Sequence, residues 1–327
     1  MTQASPEFLI IFGKVLGVMG VMLAGAVARK TRLLEPAADA SLMKLVINLL
    51  IPALFFDRVL GSPSMLVPAN LYLPPVVGFL VCILGFALAW AVASLIGHRI
   101  GLVTPVARRT FVLCVGLFNY GYVSLPLAER MYGPDTQAVL IIFNFGVEAA
   151  IWSAGILIIS GELDRNSWKR LFNVPFIAIS LAVLINFTLG PSRVPGFIRD
   201  TFHYLGVCGI PMGLLLSGAV IYDHWRELSP TRQLPMFAAA FGLRVIALPL
   251  IFLTLAAAMP VFLPASLELQ RVLLLQASMP AAMFPIVIAR QYQGDMPVAI
   301  KIILGTSILS LVTIPAWILF GSWLLGV

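Results

Sequence analysis

Ten apolar runs, each of about 20 residues or more, follow one another along the chain, and this pattern decides its fold class. A helix rising about 1.5 Å per residue needs about 20 apolar residues to cross a hydrocarbon layer about 30 Å thick. The runs cover residues 7–28, 40–60, 71–96, 108–131, 136–160, 172–190, 201–222, 235–258, 269–293 and 297–325. Hydrophobic residues make up 60% of the 327 and charged residues 11%, more apolar surface than a water-facing fold can bury. Inside hydrocarbon each backbone N–H and C=O needs an internal partner, so the spanning elements are helices. The chain reads as an all-α polytopic membrane protein with ten transmembrane helices, short connections and no appended soluble domain.

Arg29, Lys30 and Arg32 follow the first run, whereas a secretory signal carries its cations ahead of the apolar core, so this run reads as a retained helix. The loops after runs 1, 3, 5, 7 and 9 hold Arg29, Lys30, Arg32, Arg99, Arg108, Arg109, Arg165, Lys169, Arg170, Arg226, Arg232 and Arg290, against Arg58, Arg130, Arg193, Arg199 and Arg271 on the other side. Twelve cations against five put the odd loops in the cytoplasm and both termini outside. The expected location is the cell membrane, a bacterial inner membrane with periplasmic termini. The net charge of +7 is then a topology signal, and no nucleic-acid partner is expected. Cys82, Cys114 and Cys208 fall inside apolar runs and read as small buried hydrophobes. His98, His203 and His224 lie apart near helix ends, so no metal-ligand spacing and no cofactor is expected.

Two runs would make poor straight helices. Residues 117–126 (LFNYGYVSLP) and 276–285 (QASMPAAMFP) place Asn, Gly, Ser and Pro within apolar surroundings. Such breaks free backbone groups, which lipid tolerates only where protein or a water-filled cavity satisfies them. Helices 4 and 9 are therefore expected to be interrupted at Pro126, Pro280 and Pro285 and to face one internal site. Shifting the sequence on itself by about 160 residues aligns Ile51-Pro52 with Ile210-Pro211, Pro75 with Pro235 and Pro105 with Pro264. The turn Arg130-Met131-Tyr132-Gly133-Pro134-Asp135 meets Arg290-Gln291-Tyr292-Gln293-Gly294-Asp295. Five helices per copy is odd, so the second copy, residues 161–327, enters the membrane from the side opposite to the first, residues 1–160. That is the inverted-topology repeat of many secondary transporters.

Asn119-x-Gly121-x-x-x-Leu125-Pro126-Leu127 with Tyr132-Gly133 after it, Pro280-x-x-x-x-Pro285 with Tyr292 after it, and Thr306-x-x-x-Ser310-x-x-Thr313-x-Pro315 resemble the auxin efflux carrier family over essentially the whole chain. That family holds plant auxin exporters and bacterial carriers of dicarboxylates such as malate and malonate, and the chain resembles a bacterial relative of the plant exporters. The resemblance implies broken helices 4 and 9 crossing at their breaks. It also implies a scaffold of helices 1, 2, 6 and 7 with helices 3–5 and 8–10 moving against it in an elevator-type alternating access, and a small organic anion as substrate. Many relatives carry Pro directly before the Asn of helix 4, where this chain has Phe118, so its helix 4 is expected to unwind through Gly121 instead. It also lacks the long cytoplasmic loop that many plant members carry after helix 5.

The residues themselves suit a carboxylate. A helix restarting after a break presents free amides and the positive end of its dipole. Asn119 adds a side-chain amide, Tyr120 and Gly121 follow it, and Gln276, Ser278 and Pro280 approach from helix 9. These residues also serve, on the structural alternative, to satisfy groups freed by the prolines. Asn144, Glu148 and Trp152 share a face of helix 5, and Asn48 shares one with Lys44 and Pro52 on helix 2, which makes Asn144 and Asn48 cavity candidates. Glu148 and Arg244 lie at similar depth near the bilayer centre. Three roles follow: a structural Glu148–Arg244 pair, a coupling proton on Glu148, or neutralisation of the substrate by Arg244. Thr306, Ser310 and Thr313 read as a hydroxyl stripe that cements helix packing. Lipid, a coupling proton or sodium ion and a homodimer complete the expected partners.

Two other functions compete with transport of an organic anion. A cation or proton exchanger of related fold wants two membrane-centred acids at the crossing, and Glu148 is the one deep acid. A membrane-embedded enzyme wants a nucleophile with its base, paired aspartates or a metal site. The sequence offers no Ser/His, Asp/Asp or His-x-x-x-His arrangement, so no catalytic residue is assigned.

Overall fold

The computed structural model describes residues 6–162, 167–225 and 234–327; Arg165, Arg226 and Arg232 of the loop-charge comparison lie outside them. In chain order the helices are α1 (Pro6–Lys30), α2 (Pro36–Val59), α3 (Ala69–Ile96), α4 (Pro105–Gly116), α5 (Ser124–Tyr132), α6 (Pro134–Ser160), α7 (Val174–Thr188), α8 (Gly196–His224), α9 (Leu234–Phe262), α10 (Leu267–Ser278), α11 (Phe284–Gln291) and α12 (Met296–Leu325). Seven of these, α1, α2, α3, α6, α8, α9 and α12, are long and apolar enough to cross a membrane, and α7 is a shorter apolar helix. The chain is an all-helical, multi-pass membrane protein.

The two runs rich in helix breakers are helix pairs: α4 and α5 flank residues 117–123, and α10 and α11 flank residues 279–283. Pro280 lies within a break. Pro126 and Pro285 do not: each sits in the first turn of the helix that follows, where the missing N–H is no loss and the fixed φ favours helix. The helix starts are written locally. Thr104, Asn173, Ser266 and Asp295 each accept a hydrogen bond from the amide three residues on, at 3.1, 2.9, 3.2 and 3.1 Å, capping α4, α7, α10 and α12. Gly133, at φ +91°, turns the chain from α5 into α6, a conformation that favours glycine.

Two long helices change pitch just ahead of a proline. A π segment, Val46–Leu50, precedes Pro52 in α2, and another, Gly242–Ala247, precedes Pro249 in α9. A widened turn there re-satisfies carbonyls that the proline leaves unpaired.

Small residues set the closest helix approaches. A side chain on Gly146 of α6 would meet the Pro75 carbonyl of α3, and one on Gly78 of α3 would meet the Phe143 carbonyl of α6. Gly25 and Gly218 do the same between α1 and α8, against the carbonyls of Leu215 and Met22. With lipid as apolar as the helix surface, such close backbone contact is what drives association. α6 thereby becomes the most enclosed of the seven long helices, with residues from Thr136 to Phe143 packed inside the bundle.

Candidate functional site

The two breaks meet. Phe118 and Ala281 form an antiparallel bridge: the Asn119 amide donates to the Pro280 carbonyl at 2.8 Å and the Ala282 amide to the Leu117 carbonyl at 3.0 Å. The Ala281 amide donates to Thr306 Oγ1 of α12 at 3.3 Å, and that hydroxyl donates to the Ile302 carbonyl at 2.8 Å. Residue 118 therefore needs no proline, because the bridge itself holds Leu117 extended at φ −98°, ψ 123°. Only part of the freed backbone is consumed. Among the described residues, the amides of Gly121, Tyr122 and Met283 donate to no acceptor.

Those three residues line a cavity of about 440 Å³. Its walls come from α2 (Ile47, Ile51, Phe55), both breaks (Asn119 to Tyr122, Ala282, Met283), α6 (Ile141, Asn144, Phe145, Glu148, Trp152), the turn before α7 (Arg170, Asn173) and α7 itself (Pro175, Phe176, Ile179), with Leu125 and Phe284. It runs from the crossing toward the end of the bundle where Arg170 sits. Most of the wall is apolar, and the polar groups fall into two sets.

The first set is at the crossing. Asn119 is 6% exposed, and its side-chain amide makes no hydrogen bond to another described residue. Asn144 lies beside it with both ends used: its Nδ2 donates to the Tyr120 carbonyl at 2.7 Å and its Oδ1 accepts from Gln276 Nε2 at 3.4 Å. Asn144 thus ties α6 to both broken runs. Asn144→Ala strands two buried partners and is expected to destabilise the solubilised protein by about 1–3 kcal/mol, read as a lowered melting temperature.

The second set is at the Arg170 end. Glu148 accepts from Asn173 Nδ2 at 3.0 Å, with Trp152 one turn along the same helix. The Arg170 guanidinium carbon stands 5.1 Å from the centre of the Trp152 ring, and its Nη1 donates to Tyr292 Oη at 3.2 Å. Phe284 meets Trp152 edge-on at 5.9 Å. Arg170 and Asn173 were not singled out as site residues by sequence reasoning, since a loop cation reads as topology; the Asn173 cap before an apolar run was the one readable signal.

Several sequence candidates lie elsewhere. Glu148 and Arg244 do not pair: Glu148 is bound as above, while the Arg244 guanidinium carbon lies 5.4 Å from the Phe118 ring centre and 5.6 Å from that of Phe252, with no hydrogen-bond partner among the described residues for any of its nitrogens. Similar depth along two helices does not fix which way each side chain turns. Asn48 is exposed and bonded to the Lys44 carbonyl at 3.0 Å, outside the cavity. The π segment rotates its helical face away from that of Pro52, which is buried. Gln276 and Ser278 are buried outside the cavity wall, Gln276 against Asn144 and Ser278 on the Leu274 carbonyl at 2.8 Å. Pro280 contributes its carbonyl to the crossing without lining the cavity. Cys82 and Cys114 are buried, but Cys208 is exposed on α8.

Polar ties join helices at the end opposite to Arg170. Arg58 of α2 pairs with Glu129 of α5, Ser62 Oγ donates to Asp135 Oδ1 at 2.7 Å, and Lys14 Nζ of α1 donates to the Arg130 carbonyl at 2.9 Å. The last contact caps the C-terminal turn of α5.

Comparison with known proteins identifies the family. The family model described as membrane transport protein matches residues 10–167 and again residues 163–318. An uncharacterized transporter of Methanothermobacter thermautotrophicus is 27% identical over 308 residues, 93% of this chain and 96% of the relative. An uncharacterized transporter of Methanocaldococcus jannaschii is 25% identical over 321 residues, 95% and 97% of the two chains. Both relatives are archaeal rather than bacterial. With the family model covering nearly the whole length, the chain belongs to the membrane transport protein family, that of the auxin efflux carriers.

Proposed function

We propose that the protein is a secondary transporter of small organic anions, with the substrate carboxylate seated at the crossing of the two breaks. The observation that carries this is the set of unpaired amides of Gly121, Tyr122 and Met283 beside the free Asn119 side chain, all on one cavity wall. Backbone donors at the starts of α5 and α11 suit a negative charge, and the apolar remainder of the wall suits a hydrocarbon or aromatic body. In this reading the helix pairs α4/α5 and α10/α11, with α7, complete ten spans arranged as two inverted halves. The two successive family-model matches, 10–167 and 163–318, support that division. The Arg170 end is then cytoplasmic and both termini are outside, in the cell membrane.

Alternating access gives the remaining geometry a role. The cavity wall comes partly from α2 and α7 and partly from the breaks and α6, which are the scaffold and the moving part respectively. The ties Arg58–Glu129, Ser62–Asp135 and Lys14–Arg130 hold the two parts together at the far end. A cavity reaching one end and ties at the other describe an inward-facing state with its outer side closed. Flux of radiolabelled carboxylates into proteoliposomes tests the function; absence of flux for every mono- and dicarboxylate tried removes it.

Glu148 takes the coupling proton in this scheme. It is in no ion pair among the described residues and lies on the cavity wall at a depth where an unpaired charge is costly. Glu148→Gln is expected to reduce uptake driven by a pH gradient to the level seen without a gradient, while substrate exchange at equal pH continues. Loss of both activities together would make Glu148 a structural residue.

A further inference from the structure

Arg244 heads the fully buried side chains by size, at 0% exposure in the π segment of α9. Among the described residues its Nε, Nη1 and Nη2 have no hydrogen-bond partner and it takes part in no ion pair. Two aromatic rings stand against the charge, Phe118 at 5.4 Å and Phe252 at 5.6 Å, edge to face with one another at 5.8 Å, and the buried Cys82 thiol is also near it. Phe118 is also the residue that bridges Ala281 at the crossing, and the next residue is Asn119. A unit positive charge is therefore held one aromatic ring from the carboxylate seat, without lining the cavity itself.

A buried cation paired to an acid presents only a dipole to its surroundings; an unpaired one presents its whole field, weakly screened at membrane depth. Cation–π contacts with two rings offset part of its desolvation but leave the charge uncancelled. The two ionisable side chains that do line the cavity, Glu148 and Arg170, belong to its other end, away from the crossing. We infer that Arg244 is the fixed counter-charge of the anion seat, raising carboxylate affinity through space across Phe118. This rests on the seat proposed above and adds a specificity-determining residue to it. Across one aromatic ring at an effective dielectric of about 20, the attraction between unit charges is on the order of 1.4 kcal/mol, or about tenfold in affinity. Selectivity for anions over uncharged analogues of equal shape follows.

The test uses the full-length protein in detergent, with phenylacetate and malonate as anionic probes and phenylacetamide as the uncharged isostere of the first. Titration calorimetry is expected to show Arg244→Met weakening both anions about tenfold and changing phenylacetamide by less than about twofold. Arg244→Lys, which keeps the charge, should stay within about threefold of the parent. Ligand-free Arg244→Met should melt no lower than the parent, because an unpaired buried charge has been exchanged for a well-matched apolar chain. Equal weakening of charged and neutral probes, unchanged anion binding, or failure of both Arg244→Met and Arg244→Gln to fold would overturn the inference and leave Arg244 a packing residue. Asn119→Ala in parallel separates the two readings. Anion binding that survives Asn119→Ala, or a parent that binds neither anion, removes the seat and the counter-charge with it; weakening by Asn119→Ala alone removes only the counter-charge.

Discussion

Asn119→Ala is expected to lower carboxylate uptake into proteoliposomes by about 10- to 100-fold, the loss of one hydrogen bond to a charged group. The side chain is buried at the crossing yet bonded to no described residue, so its removal strands no protein partner. The melting temperature of the substituted protein should stay within a few degrees of the parent, which distinguishes a ligand contact from a structural one. Asn48→Ala provides the matched control. Asn48 is exposed and bonded only to its own helix, and its substitution should change neither uptake nor melting. Equal uptake by Asn119→Ala and the parent would move the substrate away from the crossing.

Gly146→Leu should abolish recovery of a monodisperse protein. The added Cβ alone would meet the carbonyl of Pro75, its carbonyl carbon and the Phe79 amide, so α3 and α6 would have to separate along their shared length. Overpacking a side-chain contact costs about 1–3 kcal/mol, and a clash with backbone cannot be relieved by a rotamer change, so the cost here exceeds that range. Residues from Ile141 to Trp152 on α6 wall the cavity, so the site is lost together with the fold. Gly20→Ala, in the middle of α1 with nothing near its Cβ position, should leave recovery and melting unchanged. Normal size-exclusion behaviour of Gly146→Leu would show that the α3–α6 contact is looser than the packing described above.

Much of the fold was written in patterns that survive without tertiary context. Run length marked the long helices, and the breakers between Leu117 and Pro126 and between Gln276 and Pro285 marked both interruptions. Residues inside the first break, Asn119 to Gly121, line the cavity as a direct result. What could not be read was azimuth. Glu148 and Arg244 share a depth, but one turns to Asn173 and the other to Phe118, and no one-dimensional pattern carries that choice. Asn48 was misplaced for a related reason: spacing by four presumes a regular helix, and the Val46–Leu50 segment is not one. The charged end of the cavity was missed because Arg170 belongs to a connection, where position depends on packing against Trp152 and Tyr292 from distant parts of the chain.

The joint between the two breaks is made from main-chain atoms, Asn119 to Pro280 and Ala282 to Leu117. Of the ordinary substitutions only proline, which lacks the N–H, can delete such a joint, and the amides left over beside it are equally indifferent to every other side chain. On the proposed seat, replacing Phe55, Phe145 or Phe176 would change the fit to the body of the substrate while leaving the main-chain donors to its acid group untouched.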